Sequence, residues 1–169
     1  MRSFLVSVFL IAFGVACVNC KPWKSKLDMS VKFKVCDESA SYLAEVGTVT
    51  VEPCDKQPCT LRKGKNSTIT ISFTENKGVP AVNDTKAIVH GIVAGIPFPF
   101  TIDNDDGCKS GVKCPVKPGD SEVYKFTLPI SSVYPSVDCV VKWELKQTSK
   151  DRKKDGKEVF CIEIPVAVK

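Results

Sequence analysis

Apolar and polar residues alternate along most of this chain, and this alternation constrains the fold more than any other feature of the sequence. A period of two places every second side chain on one face of a β-strand, whereas an amphipathic helix needs a period near 3.6. The clearest case is Ile69, Ile71 and Phe73, which alternate with hydroxyl residues. The segments with strand character are 31–35, 49–51, 69–73, 87–93, 124–128, 139–145 and 160–168.

Turn-forming residues separate these segments, and only residues 39–45 suggest a short helix. About seven short strands without intervening helices favour an all-β fold. We therefore predict an immunoglobulin-like sandwich of two antiparallel β-sheets, formed as a single domain by residues 21–169.

The start of the chain predicts export. Arg2 precedes an apolar run over residues 4–18, which is shorter than the ~20 residues that cross a bilayer. We interpret residues 1–20 as a signal peptide that is cleaved between Ala16 and Cys20, with a retained membrane anchor as the alternative. We therefore expect a secreted protein.

The composition also agrees with a secreted protein. The chain has 169 residues, 43% of them hydrophobic, a net charge of +5 and nine cysteines, which are ordinary in a secreted domain and unusual in a cytosolic one. Sequons at Asn66 and Asn83 can accept glycans only on the secretory route. Nothing in this composition indicates a nucleic-acid partner, and we expect a monomer.

The sequence offers few residues for a catalytic or metal site. His90 is the only histidine, and the five-residue gap of Cys108–Cys114 exceeds the two-to-four-residue gap of zinc sites, so we expect no metal and no cofactor. A nucleophile pair of Cys139 and His90 is the alternative, but nothing beside either residue would activate it. We predict that the protein is not an enzyme.

The cysteines predict a disulfide-linked domain. If the mature chain begins at Lys21, two of the nine cysteines are removed and seven remain, so at least one thiol is unpaired. The spacing favours, without fixing, three pairs: Cys54–Cys59, Cys108–Cys114 and Cys36–Cys161. Cys139 is left over, and because it shares a strand face with Trp143 we expect a buried free thiol.

Residues 91–102 give the strongest indication of a ligand. Ile96, Phe98 and Phe100 fall on one face of this segment, and prolines fall on the other. Because proline cannot donate to a sheet, the strand belongs at an edge. The rings would line a space between the sheets if the sheets are held apart there; plain core filling is the alternative.

Two further segments bear on function. Residues 128–135 carry Ile130 and Tyr134 in a loop stiffened by prolines, and such loops often border a pocket. Residues 150–157 form a strongly basic hairpin tip. That tip is either a solvated loop or a contact for anionic lipid head groups.

Several motifs resemble the Niemann–Pick type C-two sterol-transfer family, which belongs to the ML lipid-recognition superfamily. They occur in order along nearly the whole mature chain. The matching motifs are 51–64 (VEPCDKQPCTLRKG), 89–100 (VHGIVAGIPFPF), 106–115 (DGCKSGVKCP), 134–136 (YPS) and 160–165 (FCIEIP).

The resemblance implies a secreted or lysosomal sandwich that opens between its sheets to hold a sterol or similar lipid. It also implies the three disulfides favoured above. Cys139 and the long basic tip depart from the family pattern. The ligand-binding residues implied by the resemblance are Val51, Phe98, Phe100, Ile130, Tyr134, Pro135 and Trp143.

The leading hypothesis is a soluble carrier that delivers a sterol, fatty acid or other apolar lipid to anionic membranes or to a membrane receptor. One alternative is an extracellular recognition module of the same superfamily that binds fatty acids, semiochemicals or microbial lipids in signalling or innate immunity. Another is an immunoglobulin-like adhesion domain. That domain would place a tryptophan near its first cysteine, whereas Trp143 lies close to the last.

Overall fold

The computed structural model describes residues 29–148 and 156–169. The predicted signal peptide and most of the basic hairpin tip lie outside the described residues. Within them, a short 3₁₀ helix (Gly107–Lys109) interrupts an otherwise all-β chain. The strands are β1 (Lys34–Val35), β2 (Ala44–Glu52), β3 (Cys59–Leu61), β4 (Asn66–Glu75), β5 (Thr85–Val93), β6 (Ile96–Phe100), β7 (Ser121–Pro129), β8 (Val137–Gln147) and β9 (Glu158–Val168).

The strands form two sheets, which confirms the predicted sandwich. The larger sheet has the order β1-β9-β8-β5-β6, and the smaller has the order β2-β4-β7. Rings from opposite sheets meet in the core, as where Phe73 of β4 lies 5.2 Å from Phe160 of β9 between centroids. Burying apolar faces of two sheets against each other is the main source of stability in this architecture.

One strand pair departs from the antiparallel prediction. β3 is only three residues long and pairs in parallel with the C-terminal end of β9, where Cys59 lies opposite Val166. β1 pairs with an earlier part of the same edge, where Val35 lies opposite Ile162. Two short strands therefore share one edge of β9, and neither is long enough to show a clear alternation in sequence.

The proline-bearing strand lies at a sheet edge, as predicted. β6 is the last strand of the larger sheet and pairs only with β5 within the described sheet order. A two-residue turn joins them, with Ala94 at φ 49° and Gly95 at φ 81°. Positive φ at both central positions is the geometry of a type I′ hairpin, whose twist matches that of the strands.

The short helix expected at residues 39–45 is wrong. Asp37 Oδ1 instead accepts hydrogen bonds from both the amide and the hydroxyl of Ser39. The amide of Leu43 then donates to Glu158 of β9, and β2 begins at the next residue. Tertiary hydrogen bonds take the backbone groups that a helix would have paired internally.

The first predicted strand is also shorter than expected, because its chain crosses between the sheets. The amide of Val31 donates to Val49 of the smaller sheet at 2.7 Å. Five residues later, Cys36 donates to Cys161 of the larger sheet at 3.2 Å. This crossing joins the two sheets at the edge opposite β6.

Among the described residues, three disulfides reinforce the sandwich, and they are the three pairs favoured by the spacing. Two of them, Cys54–Cys59 and Cys108–Cys114, close local loops with sequence separations of 5 and 6. Cys36–Cys161 has a separation of 125 and fastens the crossing segment to β9. Cys139 is free, as expected, but it is half-buried rather than buried.

We predict that the long-range disulfide contributes most to stability. In the chain-entropy model, removing Cys36–Cys161 should cost ~5 kcal/mol and removing Cys54–Cys59 ~2 kcal/mol, because the cost grows with the closed loop. Urea unfolding of the paired alanine variants measures both values. Equal losses for the two variants would contradict this ranking.

Glu75 is an ionisable side chain placed inside the apolar core. It ends β4 at 1% exposure. Neither of its carboxyl oxygens has a hydrogen-bond partner among the described residues. Burial raises the pKa of Glu75 from 4.5 to about 7, because an unpaired carboxylate is poorly solvated there. The folded protein therefore holds this proton at pH values where the unfolded chain has released it.

We predict that Glu75 makes the protein more stable in acid. As pH rises from 4.5 towards 7, the unfolded chain releases the proton first. Stability should then fall by up to roughly 1.4 kcal/mol per pH unit. Glu75→Gln should remove this dependence, whereas Glu45→Gln, exposed on β2, should keep it. Identical pH profiles of urea unfolding for the parent and Glu75→Gln would contradict the prediction.

Candidate functional site

A cavity of about 480 Å³ opens where β6 and β7 are the outermost strands of their sheets. Cavities of roughly 300–1,000 Å³ are typical of small-molecule sites. It is lined by Gly64, Lys65, Asn66, Phe100, Thr101, Ile102, Asp103, Phe126, Leu128, Pro129, Ile130, Ser131, Ser132 and Tyr134.

A second, smaller cavity of about 30 Å³ lies between the sheets and shares Leu128 with the first. Its walls come from both sheets and are mainly apolar. The lining residues are Val51, Leu61, Ser67, Thr68, Ile69, Leu128, Val141, Trp143, Ile164 and Val166. Leu128 is therefore the residue at which the two spaces meet.

Aromatic rings from both sheets pack beside the two cavities, where Phe126 lines the larger and Trp143 the smaller. Trp143 is 1% exposed on β8. Its ring lies 5.9 Å from that of Phe126 and 5.8 Å from that of Tyr124, both of which come from β7 on the opposite sheet. Burial raises the pKa of Tyr124, which remains neutral. Tilted ring contacts of this kind add stability beyond the buried area and hold the sheets at a fixed separation.

At the opening, Phe100 of β6 meets Tyr134 of the loop before β8. Their ring centroids are 5.7 Å apart, with an edge-to-face angle of 68°. The loop is anchored below them, because the amide of Ile130 donates to Lys65 at 2.9 Å and the amide of Gly64 donates to Ile130 at 2.7 Å. The two rings therefore form a contact across the opening that can separate without breaking a strand pair.

The structure distributes the residues implied by the resemblance over three places. Phe100, Ile130 and Tyr134 line the larger cavity. Val51 and Trp143 line the smaller one. The other two residues lie outside both lining sets: Phe98, which is 53% exposed, and Pro135, which is exposed.

Sequence reasoning missed two groups of lining residues. Phe126 and Leu128 alternate on the inward face of β7, so the period-two pattern could have placed them at the site. Lys65 and Asp103 belong to turns, where alternation carries no information. These two charged groups line the larger cavity, whereas the lining of the smaller cavity is mainly apolar. Such an arrangement suits a ligand with an apolar body and a polar end.

A charged cluster lies on the outer face of the larger sheet, away from the cavity. Glu144 is 5% exposed, and its carboxylate lies 3.4 Å from Lys142 Nζ, 3.5 Å from Lys146 Nζ and 3.4 Å from His90 Nδ1. Burial alone would raise the pKa of Glu144, but the two ammonium groups outweigh it and lower the pKa. The cluster is an ion-pair network that compensates a buried carboxylate.

The alternative nucleophile pair is not assembled. His90 lies opposite Lys142 in the β5–β8 pairing, three positions from Cys139 and on the other sheet face. Burial raises the pKa of the Cys139 thiol, which disfavours the reactive thiolate. Within residues 29–148 and 156–169, no group of three His, Cys, Asp or Glu side chains could hold a metal ion.

Comparisons with known proteins agree with this geometry. The chain matches the ML domain family over residues 30–168. It is 41% identical over 138 residues to NPC intracellular cholesterol transporter 2 of Danio rerio, covering 82% of this chain and 85% of that protein. The Bos taurus protein of the same name is 40% identical over 144 residues, covering 85% of this chain and 89% of that protein.

A solved structure shares the fold. The crystal structure of a Niemann-Pick type C2 protein from Japanese carpenter ant superposes with a TM-score of 0.70 at 24% identity, covering 82% of this chain and 100% of that chain. The fold and cavity define a small disulfide-linked β-sandwich with an internal space that opens at one sheet edge. The chain belongs to the ML domain family, as the motifs predict.

Proposed function

We propose that this protein binds one apolar lipid between its sheets and carries it to membranes or to a receptor. The observation that carries the proposal is the cavity of about 480 Å³, open at the β6–β7 edge and sharing Leu128 with a smaller apolar space between the sheets. Relatives at 40% and 41% identity are named as cholesterol transporters, which favours a sterol as the ligand.

The expected affinity suits a carrier. At ~0.3 kcal/mol per heavy atom, a lipid of ~27 heavy atoms would bind with ~8 kcal/mol, a Kd of ~1 μM. A protein with this Kd keeps its lipid bound in water and can still release it. We propose that the apolar body reaches Trp143 when Leu128 rotates and that a polar end remains near Lys65 and Asp103.

We also propose that the protein acts without making or breaking bonds in its ligand. The relatives are named as transporters, and the lining of the smaller cavity is mainly apolar. A carrier needs only to replace the water in its cavity with a lipid and later to release that lipid. Binding replaces the contacts that an empty cavity lacks, which is the source of the favourable energy.

A secreted or lysosomal location fits the proposal. Asn66 and Asn83, the two sequon asparagines, are both exposed, and the raised pKa of Glu75 favours the folded state in acid. No helix among the described residues has the length and apolar character to cross a membrane. We propose the signal peptide at residues 1–20 as the route to this location.

We predict that Phe100→Ala separates ligand binding from stability. Truncating a packed phenylalanine usually costs ~3–5 kcal/mol of stability, but Phe100 is half-buried and faces a cavity. The variant should keep most of its melting temperature and bind a fluorescent sterol at least tenfold more weakly, ~1.4 kcal/mol. Val123→Ala, exposed on β7, should change neither quantity.

Phe98→Ala decides between the structure and the resemblance. Phe98 lies on the same strand face as Phe100 but outside both cavities, so the structure predicts nearly unchanged affinity. The resemblance predicts a loss similar to that of Phe100→Ala.

If Phe100→Ala melts far lower while its folded fraction binds sterol normally, Phe100 is core and the cavity proposal is wrong.

A further inference from the structure

One of the two sequons stands at the opening of the cavity. Asn66 is exposed, begins β4 and belongs to the lining of the larger cavity. It pairs with Pro129 of β7, immediately before the loop that carries Tyr134. The neighbouring residue Lys65 is hydrogen-bonded to that same loop through Ile130.

The side-chain direction keeps a glycan at this position outside the cavity. Along β4, Ser67, Ile69 and Ile71 are buried and face the core. Asn66 alternates with them and is exposed, which places its side chain on the outer face of β4. A glycan on Asn66 would therefore start beside the opening and leave the interior free for a ligand.

The other sequon lies elsewhere. Asn83 is exposed two residues before β5, and the amide of Thr148, just after β8, donates to its neighbour Asp84 at 3.1 Å. β8 runs for 11 residues from the Tyr134 loop to this end, a distance of ~35 Å. Asn83 is absent from the lining of both cavities. It is a matched control for any effect of glycosylation as such.

We propose that Asn66 carries an N-linked glycan that borders the opening of the cavity and slows the exchange of lipid through it. This inference rests on the proposed lipid-carrying function. An N-linked glycan is bulky and solubilising, so at this position it obstructs both the arrival of a lipid and the contact of the opening with a membrane. It touches neither the deep wall nor the bound lipid.

This position predicts a kinetic effect without a change in affinity. An obstruction outside the site raises the barrier for entering and leaving by the same amount, so both rates change by one factor and the Kd stays constant. A change in cavity contacts would instead appear mainly in the dissociation rate and therefore in the Kd. The two mechanisms are distinguishable by measuring rates and affinity together.

The experiment compares proteins secreted from eukaryotic cells. Glycopeptide mass spectrometry determines occupancy at Asn66 and Asn83, while a fluorescent sterol gives the Kd and the rate of transfer to phosphatidylcholine vesicles. Asn66→Gln removes the first sequon. Endoglycosidase trimming of the parent glycans to their first sugar shortens them without any substitution in the protein. Asn83→Gln removes only the distant one.

We expect Asn66 to be occupied, and transfer to be faster by about threefold or more in both Asn66→Gln and the trimmed parent at constant Kd. Asn83→Gln should match the untrimmed parent. An unmodified Asn66, acceleration in Asn66→Gln alone, or equal rates in all variants overturns the inference. If the parent binds no sterol while Asn66 is occupied, the proposed function has failed, and the gating inference fails with it.

Discussion

The missing amide hydrogens of Pro97 and Pro99 are the constraint on which the site depends. Because a proline cannot donate to a neighbouring strand, the larger sheet ends at β6, and no further strand from the described part of the chain closes this edge. The opposite edge is joined, since the chain crosses there from Val31 to Cys36 and a disulfide fastens it to β9. The sandwich is thus held together at one edge and open at the other, and the cavity lies at the open one.

Packing inside the sandwich follows the same asymmetry. Towards the joined edge, Phe73 and Phe160 fill the space between the sheets and are each 1% exposed. Towards the open edge, Trp143 packs against the rings of β7, and beyond them the sheets enclose space instead of side chains. A core filled with side chains at this edge would make van der Waals contacts that the empty cavity lacks. The space is therefore a cost to stability that a bound apolar molecule would offset.

The alternation of apolar and polar residues predicted the strands whose position depends on burying one face. The alternation of Ile69, Ile71 and Phe73 identified β4 because the whole face is buried, and the prolines of β6 predicted an edge strand. Three-residue β3 and the crossing before β1 escaped prediction because long-range hydrogen bonds, not patterns, define them. For the site, motifs pointed to Phe100 and Tyr134, whereas the turn residues around the opening became visible only once the turns and β7 were assembled.

Photo-cross-linking of a bound lipid tests the central claim most directly. A photoreactive sterol is mixed with the intact protein at one-to-one ratio and irradiated. The labelled peptides are then sequenced with and without excess unlabelled sterol. We predict labelling that competitor suppresses and that maps to residues 100–103 and 126–134, the walls of the larger cavity. Labelling confined to the outer faces of the sheets, or unaffected by competitor, would contradict a lipid site between them.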